Sequence, residues 1–444
     1  MIKLPKYLVL LSVLLIFSQA SPLVSHAQQS SIEVARSMGN SIDQRYAPAG
    51  SIITEVHTGQ ILWSENIDTQ WTPASMSKLM TIALAYDAVK TGRFDLDTKV
   101  PVTQKYIDIS QITTLSNNKM QPGCEYTIGE LIDLIITPSS AAATYMLADF
   151  IESDLNTFIQ MLNNKAASLK MTNTHYVNPI GVPNSSLGLF APPESNPSDD
   201  NYTTSKDYAL LCTYLIENHP DILNHTKYRT IVVKQGTPFE ETFTGYNHSL
   251  EGAKHAFPGV DGIKTGSADK GYNYSLTAQR GDTRLVEIVL GVSVWEDTEA
   301  EYIRHLIGNA ILEDAFNNYE YRMILDKGEY EIEKKKVILS EPFYDCVPKN
   351  WEQSLKWDFK NNVVTANLER TYLPGYSAPT GKISLLSLEK NGRKSEKHTS
   401  NFPPLNIVTA FFAIILLGVV GMIASFLYRR RLDKIRKDKR RKRP

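Results

Sequence analysis

Ser75 and Lys78 stand three residues apart in "WTPASMSKLMT" (71–81), where an apolar stretch begins. On a helix this spacing puts both side chains on one face, about one turn apart. Thr72 reads as the helix cap and Pro73 as its first residue. Met76, Leu79, Met80, Ile82, Ala83, Leu84 and Val89 make the helix apolar on nearly every side, which is the pattern of a buried helix. A cation there loses water and faces the positive end of the helix dipole, so the Lys78 pKa should fall. A neutral amine beside a hydroxyl is a general base beside a nucleophile. The N–H of Ser75, in the first turn, is a candidate oxyanion donor. The pair predicts an acylation centre. The plain alternative is a capped helix whose lysine snorkels to water. Ser116–Lys119, Ser267–Lys270 and Ser387–Lys390 share the spacing but sit in polar or loop-like sequence.

A second element lies far downstream, in "PGVDGIKTGSADKGYNYSLTAQ". Lys264, Thr265 and Gly266 on a strand edge can hold a substrate carboxylate. Gly266 permits close backbone approach, and the N–H of Ser267 can complete an oxyanion hole. Lys90-Thr91-Gly92 repeats the three letters. Lysine in a last turn with glycine just beyond is a helix stop, so it receives no chemistry.

These residues need elements to position them. "SIITEVHTGQILWSE" holds two β-rich runs around Thr58-Gly59, a hairpin signal. Helical patterns follow at 75–89, 128–136, 140–152, 154–169, 205–218 and 298–316, and strand-like runs at 273–280 and 284–294. An early strand, several helices and late strands predict a sheet whose first and last strands meet beneath helices. From about 321 to 388 the pattern alternates between Pro, Gly and Asn, as in a small β domain. "EKNGRKSEKHTSNFPP" reads as a polar tether.

Both ends of the chain are special. Residues 1–27 read as a secretory signal: Lys3 and Lys6, an apolar run from Tyr7 to Phe17, then Ser25-His26-Ala27 as a small-x-small cleavage site. Ile407 to Tyr428 carries no charge and is long enough to span a bilayer. The tail 429–444 has eleven Lys/Arg against two Asp, about +9, and directly follows that span. The positive-inside rule therefore places it in the cytoplasm and the body outside. The whole chain sums to −1, so with tail and signal removed the body carries about −12, which argues against a nucleic-acid partner. Cys124, Cys212 and Cys346 form neither a disulfide framework nor a zinc spacing, and Cys212 in "YALLCTYLI" reads as core. The composition, 42 % hydrophobic and 21 % charged, is ordinary for a globular chain.

Ser-x-x-Lys followed by a distant Lys-Thr-Gly, with "TGQILWSENIDTQWTPASMSKLMT", "MTNTHYVNPIGVPNS", "YTTSKDYALL" and "GVDGIKTGS", resembles the D-alanyl-D-alanine carboxypeptidases among low-molecular-mass penicillin-binding proteins. "SLEGAK" and the C-terminal span look most like the staphylococcal-type penicillin-binding protein 4 branch. The resemblance implies an α/β (α+β) DD-peptidase/β-lactamase-like domain with an antiparallel sheet and helices, a small all-β domain and a C-terminal transmembrane helix. The expected boundaries are 1–27 signal, 28–320 peptidase domain, 321–390 β domain, 391–406 linker, 407–428 span and 429–444 tail.

The same resemblance implies roles. Ser75 would be the nucleophile and Lys78 its base. Lys264 and Thr265, beside Gly266, would receive the terminal carboxylate, and the N–H groups of Ser75 and Ser267 would hold the oxyanion. Ser139 falls on the serine of the family's Ser-x-Asn motif, a proton relay. Ala141 falls where the family has asparagine. Thr127-x-x-Glu130 is a capping box ahead of that turn, and Pro138 stops its helix. The implied partners are peptidoglycan stem peptides, β-lactam inhibitors and, through the C-terminal helix, a membrane. No metal or cofactor is required. The implied location is the cell membrane of a Gram-positive bacterium, single-pass, with the catalytic body outside. Hydrolysis and transpeptidation are both open outcomes. A β-lactamase would need a placed carboxylate, and Glu194 in "APPESNP" lacks the spacing. The rival from another class is a non-catalytic wall-binding or scaffold protein that lost activity with the asparagine.

Overall fold

The computed structural model describes residues 29–385, apart from Glu333 and Ser354. The expected signal, linker, span and basic tail lie outside the described residues.

A β-hairpin opens the peptidase body: β1 (Gly50–Glu55) turns at Gly59 into β2 (Gln60–Glu65). Three long strands come more than 190 residues later: β3 (Val260–Ala268), β4 (Gly271–Arg280) and β5 (Thr283–Val292). β1 pairs antiparallel with β5, from Gly50 opposite Leu290 to Glu55 opposite Leu285, so the first and last strands of this body do meet. β6 (Thr371–Tyr372) joins from the C-terminal region, and the sheet runs β6-β2-β1-β5-β4-β3.

Both faces of this sheet are covered. Alternation sends Ile52, Val286, Ile288 and Leu290 to one side and Ile53, Leu285 and Val289 to the other. The first side packs on α1 (Lys78–Lys90), α2 (Ile128–Ile136), α3 (Ala141–Ile151) and α4 (Ser205–Asn218). The second packs on α5 (Ala300–Asn318) and the short helix Ser31–Ser37. Burial of α1 follows from its composition, with Leu79, Met80, Ile82, Ala83 and Ala85 fully inaccessible. It stops as its sequence says, with Lys90 in the last turn and Gly92 left-handed at φ 74°. α2 starts at the Thr127/Glu130 capping box, both halves of which are formed.

The region after α5 is all β. Tyr319–Leu325 pairs with Phe343–Pro348, and a five-stranded sheet packs Val337, Leu339, Phe343, Val364 and Ile383 together. It is tied back to the peptidase body. Arg370 makes two 2.8 Å bonds to the Asp345 carboxylate and a third, of 3.2 Å, to Gln60 Oε1 on β2. Gly59 is bare where the Tyr376 ring presses: a Cβ there would sit 2.2 Å from it. Cys124, Cys212 and Cys346 are each buried and unpaired.

Candidate active site

The turn carrying Ser75 is a 3-10 segment, Ala74–Ser77, that runs into α1. Its entry differs from the capped start read in the sequence. The Thr72 hydroxyl donates to Asp200 Oδ2 at 2.9 Å, and no side chain caps the segment. Pro73 is already helical, so the bend falls on Ala74 at φ 50°, a left-handed conformation that alanine rarely takes. Surroundings hold this strained turn. Asn273 Nδ2 donates to Thr72 O (3.0 Å), Tyr208 Oη to Met76 O (2.8 Å) and Asn201 Nδ2 to Ser77 Oγ (2.9 Å). Two glycines let neighbouring chain close on it. A Cβ on Gly181 would meet Ala74 O at 1.9 Å, and one on Gly266 would meet Pro73 O at 2.6 Å. The glycine of Lys-Thr-Gly thus admits the nucleophile's own turn.

Four predicted residues meet here. Lys78 Nζ lies 2.8 Å from Ser75 Oγ, 2.8 Å from Ser139 O and 3.2 Å from Ser139 Oγ. Lys264, from β3, donates to Ser139 Oγ and to Thr265 O, each at 2.9 Å. Ser139 sits in the turn between α2 and α3, at φ 60°. Thr265 and Gly266 continue β3, and Ser267 lies partly exposed opposite Tyr272. The decoy Lys90 is exposed at the far end of α1, and Glu194 is exposed in its loop.

Both lysines are almost fully buried, at 2 % and 1 % exposure. Burial, and then the nearby charge of Lys264, hold the Lys78 pKa well below that of a free lysine. Burial, and then the Arg304 guanidinium, bring Lys264 down to about 7. Two ammonium groups on one serine hydroxyl repel, so the site favours one charged and one neutral amine. Lys78 is the amine in contact with the nucleophile, and burial eases its loss of charge.

Ala141 opens α3 buried and without a polar side-chain atom, its N–H donating to Ser116 O at 2.9 Å. Asn117 Oδ1 receives the next N–H, of Ala142, and Asn118 Oδ1 accepts from Ser140 Oγ. This loop fixes the Ser139 turn without the missing amide. Sequence reasoning did not find these brace residues, nor Arg304. Arg304, fully buried on α5, donates to Gly266 O (3.2 Å) and Asn273 O (2.7 Å) across β3 and β4. A single arginine in a helical stretch carries no signal of that reach.

A serine hydroxyl, an amine whose charge burial disfavours and a lysine-bearing strand edge can form and break an acyl ester. Residues 39–294 match the family model described as D-alanyl-D-alanine carboxypeptidase. The chain belongs to this family. Residues 321–384 match a second model, described only as a domain of unknown function. The D-alanyl-D-alanine carboxypeptidase DacF of Bacillus subtilis is 26 % identical over 273 residues, 61 % of this chain and 62 % of that protein. DacA of Escherichia coli is also 26 % identical, over 56 % of this chain and 57 % of its own length. The chain therefore spans about three fifths of these relatives. Among solved folds, a peptidoglycan synthesis regulatory factor (PBP3) from Streptococcus pneumoniae superposes with a TM-score of 0.66 at 23 % identity, covering 77 % of this chain and 98 % of that one. Penicillin binding protein 6B from Escherichia coli gives 0.58 at 21 %, covering 76 % and 95 %. In this carboxypeptidase family member the peptidase fold and its β extension are thus shared with both.

Proposed function

We propose that the chain is a serine-type D-Ala-D-Ala carboxypeptidase acting on peptidoglycan stem peptides. The observation that carries this reading is the 2.8 Å contact between Ser75 Oγ and the buried Lys78 amine. Ser75 Oγ attacks the carbonyl carbon of the penultimate D-alanine while Lys78 Nζ takes its proton. The oxyanion lies between the N–H groups of Ser75 and Ser267. Lys264 and Thr265 hold the terminal carboxylate. The C–N bond then breaks, a proton passes by way of Ser139 to the leaving amine, and D-alanine departs. Water hydrolyses the ester, or another stem peptide's amine captures it. A β-lactam acylates the same oxygen. The test is D-alanine release from a synthetic stem pentapeptide; a folded protein that releases none sinks the reading and favours the non-catalytic wall-binding rival.

The proposal extends to the penicillin-binding protein 4 branch on the strength of "SLEGAK". It also extends to an exported body tethered to a Gram-positive cell membrane by residues 407–428, on the strength of the uncharged run there.

The lysines set the pH profile. On the acid side Lys78 gains a proton and the base is lost, so acylation falls as pH drops. On the alkaline side Lys264, at about 7 in the free protein, loses the charge that grips the carboxylate. The second-order acylation constant is therefore expected to be bell-shaped, with its alkaline limb near 7. A bound carboxylate favours the Lys264 cation, so this limb moves up at saturating substrate. Measuring both constants across pH checks it; a limb that stays put on saturation contradicts the clamp.

Ala141→Asn should speed acylation. Lys78 already has its three partners, so the gain is one contact from the new amide to the substrate carbonyl. That is worth about 0.5–1.5 kcal/mol, or roughly 2- to 13-fold if made in the transition state. Stopped-flow acylation of both proteins decides it: no gain with the fold intact means the missing amide does not limit the reaction.

A further inference from the structure

A cavity of about 880 Å³ opens where β2, the end of α5 and the β region meet. That volume lies in the range of small-molecule sites, about 300–1,000 Å³. A second cavity of about 560 Å³ continues from it, and both are lined by Asn317, Tyr319 and Lys349. The two form one trough along the seam between peptidase body and β region. β2 and β3 are four strand spacings apart in the sheet, roughly 19 Å at about 4.8 Å each. The trough is therefore separate from the Ser75 site.

Its wall is built of groups that pair in both directions. Gln60, Asn317 and Asn350 present side-chain amides, which donate and accept at once. Arg370 lines the same wall, its side chain 4 % exposed and both terminal nitrogens held by the Asp345 carboxylate. Carboxylates line it as well, Asp314 and Glu369 in the larger cavity and Asp282 and Glu320 in the smaller, against the cations Lys349, Arg280 and Arg322, and the half-buried Tyr319 lines both. Amides, carboxylates and cations side by side donate and accept at close spacing, which matches the hydroxyl and acetamido groups of a saccharide chain. A polyanion such as nucleic acid would meet an acidic body.

We propose that this seam trough binds the glycan strand of peptidoglycan as an anchoring site, apart from the peptide it cleaves. The inference rests on the wall-peptide reading above. The anchor holds the polymer near the enzyme and raises the local concentration of stem peptides for Ser75.

The test uses the full-length protein and glycan strands stripped of stem peptides by an amidase, so that Ser75 has nothing to acylate. Wild type should co-sediment with the strands. The double variant Asn317→Ala/Asn350→Ala should bind at least about five-fold more weakly, with D-alanine release from a free pentapeptide unchanged within two-fold. Both positions are exposed, so the fold should tolerate them. If pentapeptide turnover falls too, the single variant Lys349→Glu decides by the same two readings. Failure of wild type to bind, wild-type binding by the variants, or equal binding to poly-γ-glutamate each overturns the proposal. Strand binding by a wild type that releases no D-alanine leaves the trough standing and overturns the carboxypeptidase reading instead.

Discussion

Ser75→Ala abolishes covalent labelling by fluorescent penicillin while leaving the fold in place. The residue is partly exposed and small, so losing its oxygen removes one contact, to Lys78 Nζ. Lys78 keeps both Ser139 contacts, so its position survives. No other Ser-x-x-Lys pair among the described residues can replace it: neither Ser116–Lys119 nor Ser267–Lys270 forms a hydrogen bond within the pair, and neither sits on a buried helix. Catalytic groups that act as a unit fail together, so the loss should reach the detection limit. Labelling measured on a gel, with thermal unfolding as the fold control, reads this directly. Undiminished labelling would mean the acylation centre lies elsewhere.

Lys264→Ala should cost nearly as much, and Lys90→Ala almost nothing. Truncating one partner of a buried, hydrogen-bonded charge pair costs about 2–5 kcal/mol, which is roughly 30- to 5,000-fold in acylation rate. A second effect separates this clamp from mere packing. The charge on Lys264 helps to depress Lys78, after burial. Removing it should raise the Lys78 pKa and move the acid limb of the pH profile to higher pH. Lys90 touches only the C-terminal end of α1, where a cation is worth about 0.3–1 kcal/mol of stability. Equal losses in the two variants, or an acid limb that does not shift, would contradict the assignment.

Much of this site was legible in the sequence because its chemistry is local. Ser75 and Lys78 share one helical face, and the Lys-Thr-Gly run announces itself by composition. The decoy at Lys90 was separable because glycine just past a last-turn lysine has a cheaper explanation. The hairpin at Thr58-Gly59 and the pairing of early and late strands followed from period and order. Long-range choices were not legible. Thr72 before Pro73 has the form of a cap, but Asp200, 128 residues on, takes its hydroxyl. The left-handed turns at Ala74 and Ser139 lie at residues that disfavour them, and long-range packing at Gly181 and Gly266 with hydrogen bonds from Asn201, Tyr208 and Asn273 holds the first. Asn201, Tyr208, Asn273 and Arg304 act through one or two hydrogen bonds each from distant elements, for which no spacing exists to be read. The short helices Ser31–Ser37 and Gln104–Ser110 were not anticipated, since seven residues give barely two turns of pattern.

Mass spectrometry of an acid-quenched reaction with stem pentapeptide tests the acyl ester on Ser75 most directly. A tetrapeptidyl adduct is expected, formed with release of one D-alanine and confined to the peptide that contains Ser75. The same adduct should be absent from Ser75→Ala and should accumulate more slowly in Lys264→Ala. D-alanine released with the adduct on another residue, or penicillin bound with Ser75 unmodified, would contradict it.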